Sequence, residues 1–130
     1  MEKENLPSEL KNGSWGKTFK NAFAGCWYAF TTQKNFIVHL LVSLSVLLLA
    51  LWLQVSYERF LFLVLAVFLG FTVEMVNTTV EKLVDLITDK YHPTAKIIKD
   101  LSAGLMLIVS VGTAVIGFLV LFPPLWQRFF

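Results

Sequence analysis

A single cysteine, Cys26, stands among the 130 residues. One thiol excludes an internal disulfide and any cysteine cage around a metal. Charge is scarce too: Asp, Glu, Lys and Arg make up 15% of the chain against 56% hydrophobic residues. That leaves too little polar surface for the chain to cover itself in water. The composition and length point to one membrane-embedded domain. The net charge of +2 comes with no concentrated basic patch, so no nucleic-acid partner is expected. None of the seven glycines falls in a G-x-x-x-x-G-K-S/T loop, which excludes the P-loop kind of phosphate site. His92 lacks a Cys or His at ligand spacing, and His39 is too far along the chain to pair with it by motif, so no zinc site is expected.

A secretory signal is also missing. Residues 1–13, MEKENLPSELKNG, are polar and mixed in charge, and read as a flexible tail. Phe23-Ala24-Gly25-Cys26 faintly resembles a lipoprotein cleavage box, but Lys17 and Lys20 interrupt the apolar run that such a signal needs.

What is present is helical periodicity. From Ser14, a plausible N-cap, Trp15, Phe19, Ala22, Phe23, Cys26 and Phe30 recur at helical spacing, with Lys17, Lys20 and Asn21 on the other side. A basic, aromatic-rich amphipathic helix over 14–33 is expected to lie in a membrane interface, although an ordinary bundle helix with one wet face has the same pattern. Phe36 to Leu53, FIVHLLVSLSVLLLALWL, rises about 27 Å as a helix, enough for a hydrocarbon core. Trp52 stands where an interfacial indole belongs. Ser43 and Ser45 read as hydroxyls bonded back to their own helix rather than as nucleophiles. Gln54–Arg59 is expected to be a short turn, which makes the next span an antiparallel neighbour.

The second span starts at Phe60 and is apolar to Glu74, and its helical pattern runs on to about Ile87. Thr88–Asp100 is expected to be a connection in which Pro93 breaks the helix. The third span covers 101–122 of the apolar run Leu101–Leu125, with Pro123-Pro124 ending it and Trp126 and Arg128 as anchors. Ser110 with Ala114, and Thr113 with Gly117, place small residues four apart, which allows close helix–helix contact. The fold expected is thus an all-α membrane protein: one interfacial helix plus three transmembrane helices. Lys3, Lys11, Lys17, Lys20, Lys34, Lys82, Lys90, Lys96 and Lys99 fall on one side, and only Arg59 and Arg128 on the other. The positive-inside rule places the N-terminus and the 88–100 connection in the cytoplasm.

The second helix carries Glu74, Asn77, Glu81 and Asp85 at intervals that put them within an arc of about 80°. Polar groups on a membrane-grade helix mark a functional site by default. A hard divalent cation such as Mg²⁺ would neutralise these carboxylates, while taking substrate phosphates into its shell. Lys99 supplies a point charge for a phosphate, and a carboxylate at the bilayer surface can accept a proton from a lipid hydroxyl. The inventory suits phosphoryl transfer. The alternative is a solvated helix extension whose carboxylates pair with Lys82, Lys90 and Lys96; for Glu74, flanked by Phe71, Val73, Met75 and Val76, solvation is hard.

These stretches also resemble a family. EMVNTTVEKLVD at Glu74–Asp85, YHP at Tyr91–Pro93 and AKIIKDLSAG at Ala95–Gly104 are similar to the signature of the small membrane-integral bacterial diacylglycerol kinases and undecaprenol kinases. FKNAFAG and AFTTQKNF, earlier in the chain, resemble that family's interfacial helix and its entry into the first span. The similarity covers roughly 15–122 and implies a single lipid-kinase domain over 14–130 that forms a homotrimer in the bacterial inner membrane. It implies ATP as co-substrate, Mg²⁺ as cofactor and a lipid alcohol as acceptor, either diacylglycerol or undecaprenol. By that resemblance Glu74 is the catalytic carboxylate facing the lipid, with Ala103 beside the lipid, and Glu81 is a metal ligand. Tyr91, His92, Lys99, Asp100 and Asn21 line the ATP site, with Asn77 and Asp85 completing the polar stripe. One departure stands at Gln33, where many members carry a glutamate that shares the metal; an amide oxygen ligates without charge. Ile37 stands near where a basic residue is common. Two other classes compete: a small ion or proton carrier, which needs carboxylates at the bilayer midplane rather than at one boundary, and a non-catalytic membrane subunit, which leaves Lys99-Asp100 unexplained.

Overall fold

The computed structural model describes residues 15–130, so the 1–13 tail and the Ser14 cap lie outside the described residues. Four helices follow in order: α1 Trp15–Thr32, α2 Lys34–Trp52, α3 Tyr57–Ile87 and α4 Pro93–Phe129. The last three are long and apolar enough to cross a membrane, and most of their large apolar side chains face outward.

The break between α1 and α2 is one residue, Gln33, whose extended backbone (φ −103°, ψ 112°) turns the chain. Ala29 is the buried residue of α1. Next to it a line of rings ties three helices together: Phe30 meets Phe36 at 6.3 Å, and Phe36 meets Phe71 at 4.9 Å. Along the rest of α1, Trp15, Phe19, Phe23 and Trp27 are exposed at four-residue spacing.

α2 and α3 are joined by a turn shorter than Gln54–Arg59. The carbonyl of Ala50 accepts from the Val55 N–H at 3.2 Å and that of Leu51 from the Gln54 N–H at 3.1 Å. This is a Schellman ending, with Gln54 at φ 53° in the left-handed position usually given to glycine. The motif brings Val55 onto Ala50, and both join the apolar core of Leu53, Leu63, Val120 and Leu121. At this end Trp52 also meets the Phe129 ring at 6.3 Å and the Arg128 guanidinium at 4.3 Å. The cation–π contact and the ring contact hold the end of α4 against α2.

Two proline expectations are corrected. Pro93 does not break a helix; it starts one, at a position where its missing N–H costs nothing. The connection is therefore confined to 88–92 rather than 88–100. Pro123 and Pro124 lie inside α4, which runs on to Phe129. Membrane helices tolerate such interruptions where packing maintains the axis, and Leu121, Leu125 and Phe129 all keep contacts across the lost donors. The small residues of α4, Ser110, Thr113, Ala114 and Gly117, line a groove of about 490 Å³ between α2, α3 and α4. A methyl group on Gly117 would meet nothing within 4 Å.

The antiparallel packing puts the start of α2, the end of α3 and the start of α4 together, at the opposite end from the apolar core. Every lysine from Lys34 onward belongs to that end, and both arginines belong to the core end.

Candidate active site

Burial falls in steps along the polar stripe of α3. Glu74 is 2% exposed and Asn77 8% exposed, Glu81 is half-buried and Asp85 is exposed. The stripe meets α4 at two points, Asn77 with Ser102 and Asp85 with Lys99. Val73, Asn77 and Thr78 are buried near Glu74 on α3. Glu74 Oε2 is buried without a hydrogen-bond partner among the described residues, a costly state that native interiors seldom keep without use.

One turn further on, the Ser102 hydroxyl on α4 donates to Asn77 Oδ1 at 2.8 Å. Asn77 Nδ2 in turn donates to Glu81 Oε1 at 3.2 Å. Ser102 lies within the AKIIKDLSAG stretch, yet the sequence does not single it out as a site residue. Nothing in its own spacing marks it, since its partner is on another helix. Ala103, expected beside the lipid, is exposed next to it.

Beyond Glu81 the α3–α4 junction opens into a polar cavity of about 650 Å³ lined by Asp85, Tyr91, His92, Lys96, Lys99 and Asp100, among others. The four expected nucleotide residues of this region are thus brought together. Lys99 Nζ donates to Asp85 Oδ1 at 2.6 Å, and Lys96 pairs with Asp100. Pairing of stripe carboxylates with lysines therefore does occur, but for Asp85 through Lys99 of the facing helix. His92 also acts locally, since its Nδ1 accepts from the Thr94 N–H at 3.2 Å and caps α4. That bond leaves Nε2 as the nitrogen that carries the proton in neutral imidazole. Tyr91, 81% exposed, projects from the rim.

Asn21 and Gln33 are not brought into this cavity. Asn21 is exposed on α1, and Gln33 Nε2 donates to Thr32 Oγ1 at 3.2 Å. Among the described residues no three His, Cys, Asp or Glu side chains cluster as a ready-made metal cage. Ser45 donates to its own helix at Leu41 O, as its spacing suggests.

A buried carboxylate, a second carboxylate oriented by an amide and a lysine-bearing polar cavity thus stand together at one end of the three spans. Residues 20–121 match the family described as prokaryotic diacylglycerol kinase. The chain is 36% identical over 109 residues to the undecaprenol kinase of Bacillus subtilis (strain 168), an overlap of 84% of this chain and 89% of that protein. It is 37% identical over 109 residues to a diacylglycerol kinase of Synechocystis, covering 83% of this chain and 62% of that longer protein. A diacylglycerol kinase of Helicobacter pylori (strain J99) is 29% identical over 108 residues, covering 78% and 84% respectively. With the match running from α1 to late in α4, through every residue of the buried stripe, the chain belongs to the prokaryotic diacylglycerol kinase family and is a membrane lipid kinase.

Proposed function

We propose that the enzyme transfers the γ-phosphate of ATP to the hydroxyl of a membrane lipid alcohol, with Glu74 as the carboxylate that takes the hydroxyl proton. The observation that carries this reading is Glu74 itself, 2% exposed, with Oε2 buried and unpartnered. An oxygen in that state has an open hydrogen-bonding position for a substrate O–H. Proton removal by a positioned carboxylate contributes about 10²–10⁴ in rate.

The nucleotide would occupy the cavity of Asp85, Tyr91, His92, Lys99 and Asp100. Lys99 is the cation for the terminal phosphates, kept near its working position by Asp85 until a phosphate competes for it. Asn21 and Tyr91 would contact the rest of the nucleotide. Mg²⁺ would be held by Glu81 and the Gln33 side-chain oxygen. These hard oxygens, one already aimed by Asn77, fit an ion that takes few protein ligands and fills its shell with water and phosphate. Bound there, it would neutralise charge on the transferring phosphoryl group. Ala103 and Glu74 would border the lipid.

The positive-inside rule supports a cytoplasmic site in the bacterial inner membrane, since the lysine-rich end of the spans is the site end. α1, with its outward row of Trp15, Phe19, Phe23 and Trp27, is suited to the bilayer interface as an amphipathic anchor. We take the assembly to be a homotrimer, as the resemblance implies. The acceptor is diacylglycerol or undecaprenol; the relatives' names include both.

Purified protein with labelled ATP, Mg²⁺ and diacylglycerol, undecaprenol or ceramide tests the reading. One of the first two should be phosphorylated, and Glu74→Gln should lower kcat by about 10²–10⁴. Equal activity in Glu74→Gln would remove the proposed base.

A further inference from the structure

Several hydroxyls on these helices bond to their own backbone. Thr72 donates to Phe68 O, Thr79 to Met75 O, and Ser45 to Leu41 O, each four residues back. Ser102 departs from this habit. Its hydroxyl oxygen lies 2.8 Å from Asn77 Oδ1 on α3 and donates to it, between two side chains each 8% exposed.

The direction of this bond follows from the next one. A carboxylate only accepts, so Asn77 must present its Nδ2 to Glu81 Oε1, at 3.2 Å. The amide oxygen then points the other way, to Ser102, whose hydroxyl must donate. A flipped amide would set oxygen against carboxylate oxygen. The chain Ser102 → Asn77 → Glu81 therefore has one sense, and its last member is half-buried, one helical turn before Asp85, which lines the polar cavity. We infer that Ser102 is a positioning residue for Glu81, acting through the Asn77 amide. This rests on the reading of Glu81 as the metal-holding carboxylate.

Partners that orient a ligating carboxylate change metal affinity by about 10–100-fold when removed. Ser102 acts through one intervening side chain, so the lower end, about tenfold, is expected for Ser102→Ala. Ser102→Thr keeps the hydroxyl and should stay near the parent value. The double variant Ser102→Ala with Asn77→Leu replaces both buried partners by apolar groups, which restores packing stability without restoring the orientation of Glu81.

The measurement is Mn²⁺ binding by electron paramagnetic resonance, on full-length protein in detergent with a non-hydrolysable ATP analogue, alongside thermal unfolding of each variant. Weaker Mn²⁺ binding in Ser102→Ala and in the double variant, with Ser102→Thr like the parent, is the expected result. Parent-like affinity in Ser102→Ala, or affinity that returns with stability in the double variant, overturns the positioning role. Glu81→Ala separates this from the reading beneath it. If that variant loses Mn²⁺ while Ser102→Ala does not, only the positioning role fails; if Glu81→Ala binds as the parent does, both fall.

Discussion

At the scale of single residues, the site is set by what each polar side chain lacks or shares. Among the described residues Glu74 Oε2 has no partner, Glu81 accepts from the Asn77 amide, and Lys99 shares its charge with Asp85. Gln33 is the position where this chain brings an uncharged oxygen to the proposed metal. It is half-buried at the α1–α2 break, and its Nε2 donates to Thr32 Oγ1. Gln33→Glu adds a negative charge at that position, so the Mg²⁺ concentration for half-maximal rate should fall, by about threefold to tenfold for about 1 kcal/mol of added attraction. A magnesium titration of initial rate at saturating ATP checks it, and an unchanged or higher requirement would show that Gln33 is remote from the metal. The carboxylate stripe was legible in the sequence because helical spacing alone aligns Glu74, Asn77, Glu81 and Asp85. The partners of those residues were not. Ser102 meets Asn77, and Lys99 meets Asp85, only through the register of α4 on α3, which no local pattern encodes.

At the scale of elements, helix ends decide where site residues stand. The three spans were readable from their apolar runs, whereas their boundaries shifted wherever a cap outweighed a breaker. Pro93 looked like an interruption, but His92 before it and Thr94 after it make a helix start. That start places Lys96, Lys99 and Asp100 on the first turns of α4. Asparagine is among the strongest N-caps and alanine among the weakest. His92→Asn should keep stability near that of the parent, while His92→Ala loses about 1 kcal/mol. Both should raise the KM for ATP if His92 also contacts the nucleotide through Nε2. Unfolding curves paired with ATP kinetics separate these two roles. At the other end, Gln54 holds φ 53° in the Schellman turn, a left-handed conformation in which a Cβ costs about 1–2 kcal/mol. Gln54→Gly removes that strain at the cost of a more flexible unfolded chain, for a net gain of about 0.5–1 kcal/mol. A raised unfolding midpoint in detergent, with unaltered activity, is the expected outcome, since the turn and the site lie at opposite ends of the spans.

At the scale of the whole molecule, the two ends differ in kind. One is built from the apolar core of Ala50, Leu53, Leu63, Val120 and Leu121, closed by Trp52, Phe129 and Arg128. The other holds the buried carboxylate and the polar cavity, which Lys90, Lys96 and Lys99 line. An enzyme that consumes ATP needs the second end on the cytoplasmic side, and the distribution of lysines asks for the same orientation. The sole cysteine, Cys26 on α1, makes this open to labelling once it is changed to alanine. Single cysteines are then introduced as Lys90→Cys, in the connection at the site end, and Ser56→Cys, in the α2–α3 turn at the core end. In intact cells stripped of their outer barriers, a membrane-impermeant maleimide should label Ser56→Cys and leave Lys90→Cys unlabelled. In inverted membrane vesicles the pattern should reverse. Labelling of Lys90→Cys in intact cells would put the lysine-rich end outside, away from ATP, and the proposed site could not work there.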